Sequence, residues 1–84
     1  MNKKINISRT RYVIVRDDDS IFCGLSRNYQ FKKIDDLGDT SIKTYLSAKK
    51  AKSSFLQSWG HSSEEDFETG RYKVVEVIES IIEV

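Results

Sequence analysis

The segment SAKKAKSSFLQSWG, residues 47–60, predicts an amphipathic helix with both of its ends marked. Ser47 is a residue type that caps helix N-termini, and Gly60 is the type that ends helices in a left-handed turn. Between them one stripe of apolar side chains recurs at helical spacing: Ala48, Ala51, Phe55, Leu56 and Trp59. A helix with a single apolar face needs a flat apolar surface to cover, so the flanking segments should supply a sheet.

The N-terminal part of the chain has the composition of a β-hairpin. Residues 1–9 are polar with isolated isoleucines, which predicts a loose arm or an edge strand. The β-branched and aromatic run over 12–15 predicts a strand. An aspartate-rich turn over 17–20 leads into a return strand over 21–25, where Gly24 indicates a bulge or a close backbone approach.

The middle and the C-terminal segments complete the predicted sheet. Alternation over 27–33 predicts an extension of the second strand or a third strand, and a loop over 35–40 follows. Residues 42–46 predict a short strand that leads into the helix. The tail fits a helical stripe as well as a strand, but a strand is favoured over 71–78 because the apolar residues after Tyr72 are all β-branched.

A second, shorter helix is indicated after the first one. Ser62, followed three residues later by Glu65, has the capping-box pattern and predicts one helical turn that ends at Gly70. The whole chain, 1–84, is therefore expected to form one α+β domain. Its predicted architecture is a small antiparallel sheet, in the order β-β-(β)-β-α-β, covered on one face by a single amphipathic helix.

Composition narrows the class of protein. With 84 residues, 38% apolar and 32% charged, the chain fits a small globular domain and is too short for a deep catalytic cleft with its own supporting shell. No apolar run approaches the roughly 18 residues of a membrane span, and no apolar block follows the basic N-terminus as in a signal peptide. The single cysteine, Cys23, forms no internal disulfide. We therefore expect a cytoplasmic protein.

The net charge of +1 conceals an uneven distribution along the chain. Residues 1–52 carry a charge of +6, whereas residues 53–84 carry −5. Such a polarity produces two oppositely charged faces if the two parts fold separately. The opposite charges cancel if the fold brings the two parts of the chain side by side.

The sequence gives little indication of catalysis. His61 has no nucleophile or acid placed near it in sequence, and Cys23 lies in an apolar strand without a local base. The aspartates of 17–19 and those at 35, 36 and 39 lack the spacing of a calcium loop, and turn formation explains both groups. We expect no enzyme activity, no catalytic, metal-binding or cofactor-binding residues, and no cofactor.

Basic and aromatic residues alternate in the middle of the chain, which suits single-stranded nucleic acid. A sheet that binds single strands offers stacking rings with a basic rim. The residues that would supply them are Arg27, Tyr29, Phe31 and Lys33 on one strand face, with Lys32 on the other. The same rings suit a core-facing strand, the RNP1 pattern is absent, and the net charge is nearly neutral. A single-stranded nucleic-acid-binding sheet is therefore the alternative function.

An acidic segment with a central aromatic residue is the second candidate for binding. It consists of Glu64, Glu65, Asp66, Phe67 and Glu68. An aromatic ring among carboxylates can anchor to a basic protein surface, such as a nuclease groove that normally holds phosphates. The structural alternative is a short capped turn whose Phe67 closes the edge of the core. These five residues are the predicted partner-binding site, and the expected partner is a protein with a basic surface.

Four short motifs run through most of the chain: Tyr12-Val13-Ile14, Phe22-Cys23-Gly24, Ser47-Ala48-Lys49-Lys50-Ala51 and Tyr72-Lys73-Val74-Val75-Glu76-Val77. In this order the chain resembles short uncharacterised proteins of phages and mobile elements in low-GC bacteria. Those proteins open with a Tyr-Val-Ile strand that turns into a Phe–Gly strand. They then carry a small capped helix with spaced alanines and end in a Tyr-x-Val-Val-x-Val strand. The insert over 27–40 departs from that pattern.

The resemblance implies an accessory protein of a phage or an integrated element, and it carries no catalytic residue. Some small proteins of such elements inhibit host defence nucleases, including CRISPR effectors. The leading hypothesis is therefore a non-catalytic protein-interaction module. Its sharpest form is an anti-CRISPR type of inhibitor of a host defence nuclease.

Overall fold

The computed structural model describes residues 6–25, 30–60 and 62–82, with side chains to residue 80. Its elements are β1 (Asn6–Arg16), β2 (Ser20–Phe22), β3 (Phe31–Lys33), α1 (Ala48–Ser58), α2 (Glu64–Glu68) and β4 (Tyr72–Ile82), with a 3-10 turn at Ile34–Asp36. The four strands form one antiparallel sheet in the order β3-β2-β1-β4. The predicted α+β class, an antiparallel sheet with one main helix, is confirmed.

The longest element of the sheet is the pairing of β1 with β4. It runs without interruption from Asn6 opposite Ile82 to Arg16 opposite Tyr72. The strand that the β-branched tail predicts is therefore confirmed and extends to Ile82, and the helical alternative for that stretch is wrong. Residues 6–9, for which a loose arm or an edge strand was predicted, are part of β1 and pair with β4. They therefore form a strand and not a loose arm.

The β1–β2 hairpin closes over three aspartates, as the sequence predicts. Asp19 adopts a left-handed conformation with φ of 63°, which aspartate tolerates better than most residues. The Asp18 carboxylate accepts a hydrogen bond from the Ser20 backbone N–H at 3.2 Å, so it forms an Asx turn. β2 is shorter than predicted, because it ends at Phe22. Gly24, with φ of 103°, therefore lies beyond the strand and makes no bulge within it.

The strand predicted over 42–46 is wrong, since only one bridge forms there, between Tyr45 and Tyr12. The backbone explains the difference. The Lys43 N–H donates to the Phe22 carbonyl oxygen of β2 at 3.1 Å, whereas the Tyr45 N–H donates to the Tyr12 carbonyl oxygen of β1 at 2.8 Å. The segment crosses the end of the short β2 to reach β1, so it runs along neither strand.

Helix α1 has the predicted start but a different end. The Ser47 hydroxyl oxygen accepts a hydrogen bond from the Lys50 N–H at 3.1 Å, which confirms the N-cap. The left-handed stop at Gly60 is wrong. Instead Trp59 takes an extended conformation, and its carbonyl oxygen accepts hydrogen bonds from the N–H and the hydroxyl of Ser62. Helix α2 does have a glycine with positive φ just beyond its end, Gly70 with φ of 84°, as predicted.

The capping box of α2 lies one residue later than predicted. Ser63 is the N-cap, and its backbone N–H donates to the Asp66 carboxylate at 2.9 Å. The predicted pair was Ser62 with Glu65. The shift has a local cause, because the Ser62 hydroxyl donates to the Trp59 carbonyl oxygen at 2.8 Å and so completes the end of α1.

The core lies mainly between α1 and the sheet and is rich in aromatic rings. Its buried members are Ile14, Phe22, Tyr45, Ala51, Phe55 and Tyr72, and Trp59 and Phe67 pack at its margin. Of the predicted helical stripe, Ala51 and Phe55 are fully buried, whereas Ala48 is exposed. A smaller cluster on the opposite face of the sheet, around Val13 and Val15, is covered by side chains of the segment between β3 and α1.

Replacing Phe55 with alanine should lower the free energy of unfolding by about 3–5 kcal/mol, because the ring is 0% exposed and contacts four other aromatic rings. Trp59→Ala should cost less, because Trp59 lies at the core margin. Gln57→Ala, an exposed position of the same helix, is the control and should change stability by less than about 0.5 kcal/mol. Urea unfolding followed by circular dichroism measures all three. An unchanged midpoint for Phe55→Ala would contradict the packing of α1.

Candidate functional site

The predicted acidic site forms helix α2, which presents its carboxylates to solvent. Glu64, Glu65 and Glu68 are exposed, and the Glu64 side chain is 76% accessible. Asp66 instead caps the helix through the Ser63 N–H. The structure therefore brings three of the four predicted acidic side chains together on one exposed surface and uses the fourth to fix the helix start.

Phe67 anchors α2 to the core. Its ring centroid lies 6.0 Å from that of Phe55 and 6.1 Å from that of Tyr72. The Lys52 ammonium lies 5.5 Å above the same ring and 3.8 Å from a carboxylate oxygen of Glu64. These contacts are the ones expected if Phe67 closes the edge of the core, which was the structural alternative to a role in partner binding. They fix the orientation of α2 and hold the neighbouring carboxylates on the outside.

The predicted nucleic-acid face is only partly described. Arg27 and Tyr29 lie outside the described residues, whereas Phe31 lies on β3 and is half-buried. Phe31 packs against Phe22 at 5.3 Å and Trp59 at 5.4 Å between ring centroids, and the Arg16 guanidinium lies 4.3 Å above its ring. Stacking on a nucleotide base would have to displace Arg16 from that ring.

The two lysines of β3 also make contacts within the protein. The Lys32 ammonium donates to the Thr40 hydroxyl at 3.0 Å, and that of Lys33 donates to the Asp18 carbonyl oxygen. Lys33 lies 3.6 Å from the Asp18 carboxylate as well. Because Lys33 is exposed, its contact with Asp18 is weak and does not by itself prevent the ammonium from binding a phosphate.

Arg16 and Asp18 form the best-defined ion pair of the described chain. The guanidinium donates two hydrogen bonds to the carboxylate, at 3.0 and 2.8 Å. These bonds, together with the Ser20 N–H and the charge of Lys33, hold the pKa of Asp18 well below its ordinary value. The same pair fixes Arg16 over Phe31, so that the hairpin turn and the third strand are connected through one guanidinium.

A third surface has no counterpart among the sequence-based candidates. Beyond Tyr12 the two long strands continue as a two-stranded ribbon, Asn6–Arg11 paired with Val77–Ile82, which we call the ribbon arm. At about 3.3 Å per residue it extends roughly 20 Å from the helices. The elongated shape of the molecule, 53 × 26 × 20 Å, is consistent with this projection. Of the ribbon-arm side chains up to residue 80, those of Ile7 and Ile78 are exposed isoleucines, at 43% and 63%.

The ribbon arm brings together charges that are far apart in sequence. Arg9 lies opposite Glu79, and Arg11 lies opposite Val77 and beside Glu79 on the same face. The positive and negative parts of the chain therefore partly compensate each other in this region, because Glu79 offsets one of the two arginines. By contrast, among the residues that the structure describes, Lys52 is the one cation within 4 Å of an α2 carboxylate, at 3.8 Å from Glu64. This partial compensation of Glu79 leaves α2, with three exposed glutamates, as the more distinctly acidic surface of the C-terminal part.

The described residues show little that favours catalysis. Among them, no three histidine, cysteine, aspartate or glutamate side chains are grouped closely enough to hold a metal ion. His61 lies outside the described residues. The Cys23 thiol is buried and lies 3.5 Å from the Ile21 carbonyl oxygen, beside an open cavity of about 400 Å³ between β2 and the end of α1. No helix of the described chain is long and apolar enough to cross a membrane.

Comparison with protein-family models, with curated protein sequences and with solved structures finds no match to this chain. The fold and its surfaces define a small α+β domain with an aromatic core, an acidic helix and a projecting ribbon arm. Function is therefore inferred from those surfaces.

Replacing Asp18 with asparagine should make folding less dependent on pH in the acid range. The folded-state pKa of Asp18 is depressed, so its stabilising contribution is fully present above its unfolded pKa of about 3.9 and is lost progressively as the pH falls from there towards the folded-state pKa. Asparagine keeps an acceptor for the Ser20 N–H but removes the charge. Wild type should therefore be more stable than Asp18→Asn at pH 7, and the difference should shrink steadily as the pH falls from about 4 to 2.

Urea midpoints measured between pH 2 and pH 7 test this expectation. Asp39→Asn, which removes one carboxylate from an exposed loop, is the matched control. A difference between wild type and Asp18→Asn that stays constant over this pH range would contradict the role of the Arg16–Asp18 pair.

Proposed function

We propose that this protein is a non-catalytic protein-interaction module that binds a basic surface of another protein through the exposed face of α2. The proposal rests on the two different roles that the side chains of this helix have. Phe67 and Asp66 fix the helix to the core and cap it, while Glu64, Glu65 and Glu68 stay exposed. Carboxylates on a fixed element bind a basic surface with less loss of conformational freedom than carboxylates on a mobile loop.

The charge of this face favours a basic partner. Exposed carboxylates clustered on one short element attract a basic surface over roughly a Debye length, and they accelerate association more than they slow dissociation. The pair between Lys52 and Glu64, at 3.8 Å, is surface-exposed and therefore weak, so it competes little with a partner. A protein groove that normally holds phosphates has the required chemistry.

The proposed biological setting is a phage or mobile element, and the proposed place of action is the host cytoplasm. The setting follows from the resemblance of the four sequence motifs to short proteins of such elements. In that setting the basic partner would be a host defence nuclease, whose nucleic-acid groove is lined with cations, and the protein would act as an inhibitor of the anti-CRISPR type. A single buried thiol is compatible with a reducing compartment.

The alternative, a single-stranded nucleic-acid-binding sheet, has weaker support. Of its proposed residues, Phe31 is engaged with the core and with Arg16, and Lys32 and Lys33 contact Thr40 and Asp18. If β3 binds single strands, Lys32→Ala and Lys33→Ala should each reduce the slope of log affinity against log salt by about 0.7. Titration of a fluorescent oligonucleotide at several salt concentrations measures it.

Reversing the three exposed charges of α2 should abolish capture of the partner. The variant carries Glu64→Lys, Glu65→Lys and Glu68→Lys, and the matched control carries Asp35→Lys, Asp36→Lys and Asp39→Lys. Both sets change the net charge equally and alter exposed residues. Capture is measured by pull-down from bacterial lysate with and without nuclease digestion, and association rates are then measured with the captured protein. The α2 variant should lose capture mainly through slower association, while the control should retain it.

Two outcomes would contradict the proposal. One is equal capture by the α2 variant and the control variant. The other is tight binding of the wild-type protein to a single-stranded oligonucleotide at physiological salt, together with loss of protein capture after nuclease digestion. That result would favour the nucleic-acid alternative.

A further inference from the structure

The open edge of β4 can be defined from the direction of its backbone groups. The Tyr12 N–H donates to the Tyr45 carbonyl oxygen at 2.9 Å, and the Tyr12 carbonyl oxygen accepts from the Tyr45 N–H, so both groups point away from β4. Glu76 lies opposite Tyr12 and must therefore point its own N–H and carbonyl away from β1. The Asp17 N–H donates to the Arg71 carbonyl oxygen at 2.8 Å, which places the odd-numbered residues of β4 towards β1.

The even-numbered residues of β4 consequently present their backbone groups to the outside. These residues are Tyr72, Val74, Glu76, Ile78, Ser80 and Ile82. Within the described chain the sheet ends at β4, and no further strand pairs with this edge. The edge is 11 residues long, and the pairing of β4 with β1 is uninterrupted along it. It also contains no proline, one of the residues that protect natural edge strands from pairing.

The ribbon arm needs more than two strands to be well ordered. A two-stranded antiparallel ribbon is marginally stable in water, whereas three or more strands with an apolar face are stable. Residues 6–10 of β1 and 78–80 of β4 are exposed on both faces of the ribbon arm. Among the side chains that the structure describes, Ile78 is the second most exposed large hydrophobic one, at 63%. Addition of further strands at the β4 edge would cover part of that surface.

We infer that a second copy of this chain pairs with the β4 edge, antiparallel to it, about a twofold axis at Ile78. The two ribbon arms then lie side by side as four strands, in the order β1-β4-β4-β1, and the two four-stranded sheets become one continuous sheet. The helical parts of the two copies lie at opposite ends of the shared strands, because β4 runs away from its own helices.

Charge and apolar pattern favour this register over one centred on a glutamate. A twofold axis at Ile78 places Ile78 against Ile78 of the second copy, and it places Glu76 against Ser80 and Glu79 against Val77 of that copy. An axis at Glu76 or at Glu79 would instead set two identical carboxylates directly opposite each other, which is destabilising. The chosen register also leaves Glu79 beside Arg9 of its own ribbon arm, so the charge stays compensated.

The β4 edge fits this pairing better than the outer edge of β1. Tyr45 already occupies the position beside Tyr12, so the open part of the β1 edge is limited to the ribbon arm. In addition, pairing of the β1 edge with the β4 edge of another copy does not form a closed assembly. Each added copy would leave a free edge, and filaments of increasing length would result. Pairing of two β4 edges is self-complementary and stops at a dimer.

The first measurement is the mass of the full chain in solution. Sedimentation velocity over a range of protein concentrations should show exchange between a 9.7 kDa monomer and a species of twice that mass. Because edge pairing alone buries less than the roughly 1,200 Å² of a standard interface, dissociation is expected at accessible concentrations. A monomer at every concentration, or a continuous series of larger species, would overturn the inference.

Proline substitutions then identify the edge. Ile78→Pro removes an N–H that only the second copy would use. Thr10→Pro, directly opposite in the ribbon arm, removes an N–H on the outer edge of β1. Ile78→Pro should abolish the dimer, and Thr10→Pro should preserve it. Retention of the dimer by Ile78→Pro, or its loss in Thr10→Pro, would overturn the inference.

A cross-link keeps the test valid if a proline variant fails to fold. Hydrogen-bonded antiparallel partners have Cα atoms about 5.5 Å apart, within the range of a disulfide. Ile78→Cys should therefore form a covalent dimer on mild oxidation, whereas Thr10→Cys should not. The buried Cys23 is the native thiol in both variants. Absence of the Ile78→Cys dimer, or an equal yield with Thr10→Cys, would contradict the twofold axis at Ile78.

Discussion

The pairing of β1 with β4 is the interaction on which the other elements depend. It joins the two ends of the described chain along eleven consecutive residue pairs, from Asn6 with Ile82 to Arg16 with Tyr72. Every residue between β1 and β4 is thereby enclosed in one long loop, whose closure costs entropy that only the completed sheet and core offset. The helices can pack only where this ribbon offers an apolar surface, which is the half that contains Ile14 and Tyr72.

The aromatic core explains why so short a chain can hold two helices on a small sheet. Phe22, Phe31 and Phe55 lie on three different elements, and their rings meet at centroid distances between 5.0 and 6.2 Å. Large rings bury much apolar area per residue and gain further from edge-to-face contacts. Arg16 extends this cluster outward by covering Phe31, and its pair with Asp18 connects the core margin to the hairpin turn.

Pairing of the two chain ends also determines which charges remain available. The positive N-terminal part and the negative C-terminal part meet in the ribbon arm, where Arg9 lies opposite Glu79, and their charges partly compensate there. Phe67 holds helix α2 against the core, away from the ribbon arm. The exposed glutamates of α2 therefore do not face the arginines of the ribbon arm. The acidic helix and the open β4 edge are thus separate surfaces with different chemistry. One suits a basic partner, and the other suits a strand.

Local patterns in the sequence were sufficient for the α+β class, the Ser47 cap, the aspartate turn and the β-branched C-terminal strand, because each depends on neighbouring residues alone. The choice between Ser62 and Ser63 as the α2 cap is local too, because the Ser62 hydroxyl donates to the carbonyl oxygen of Trp59 three residues earlier, but the capping pattern alone did not show it. Two features required the tertiary structure. The segment at Tyr45 forms only a bridge because β2 ends early. The ribbon arm arises because the polar segment before Tyr12 finds a partner strand at the other end of the chain, and such distant pairing leaves no local signal.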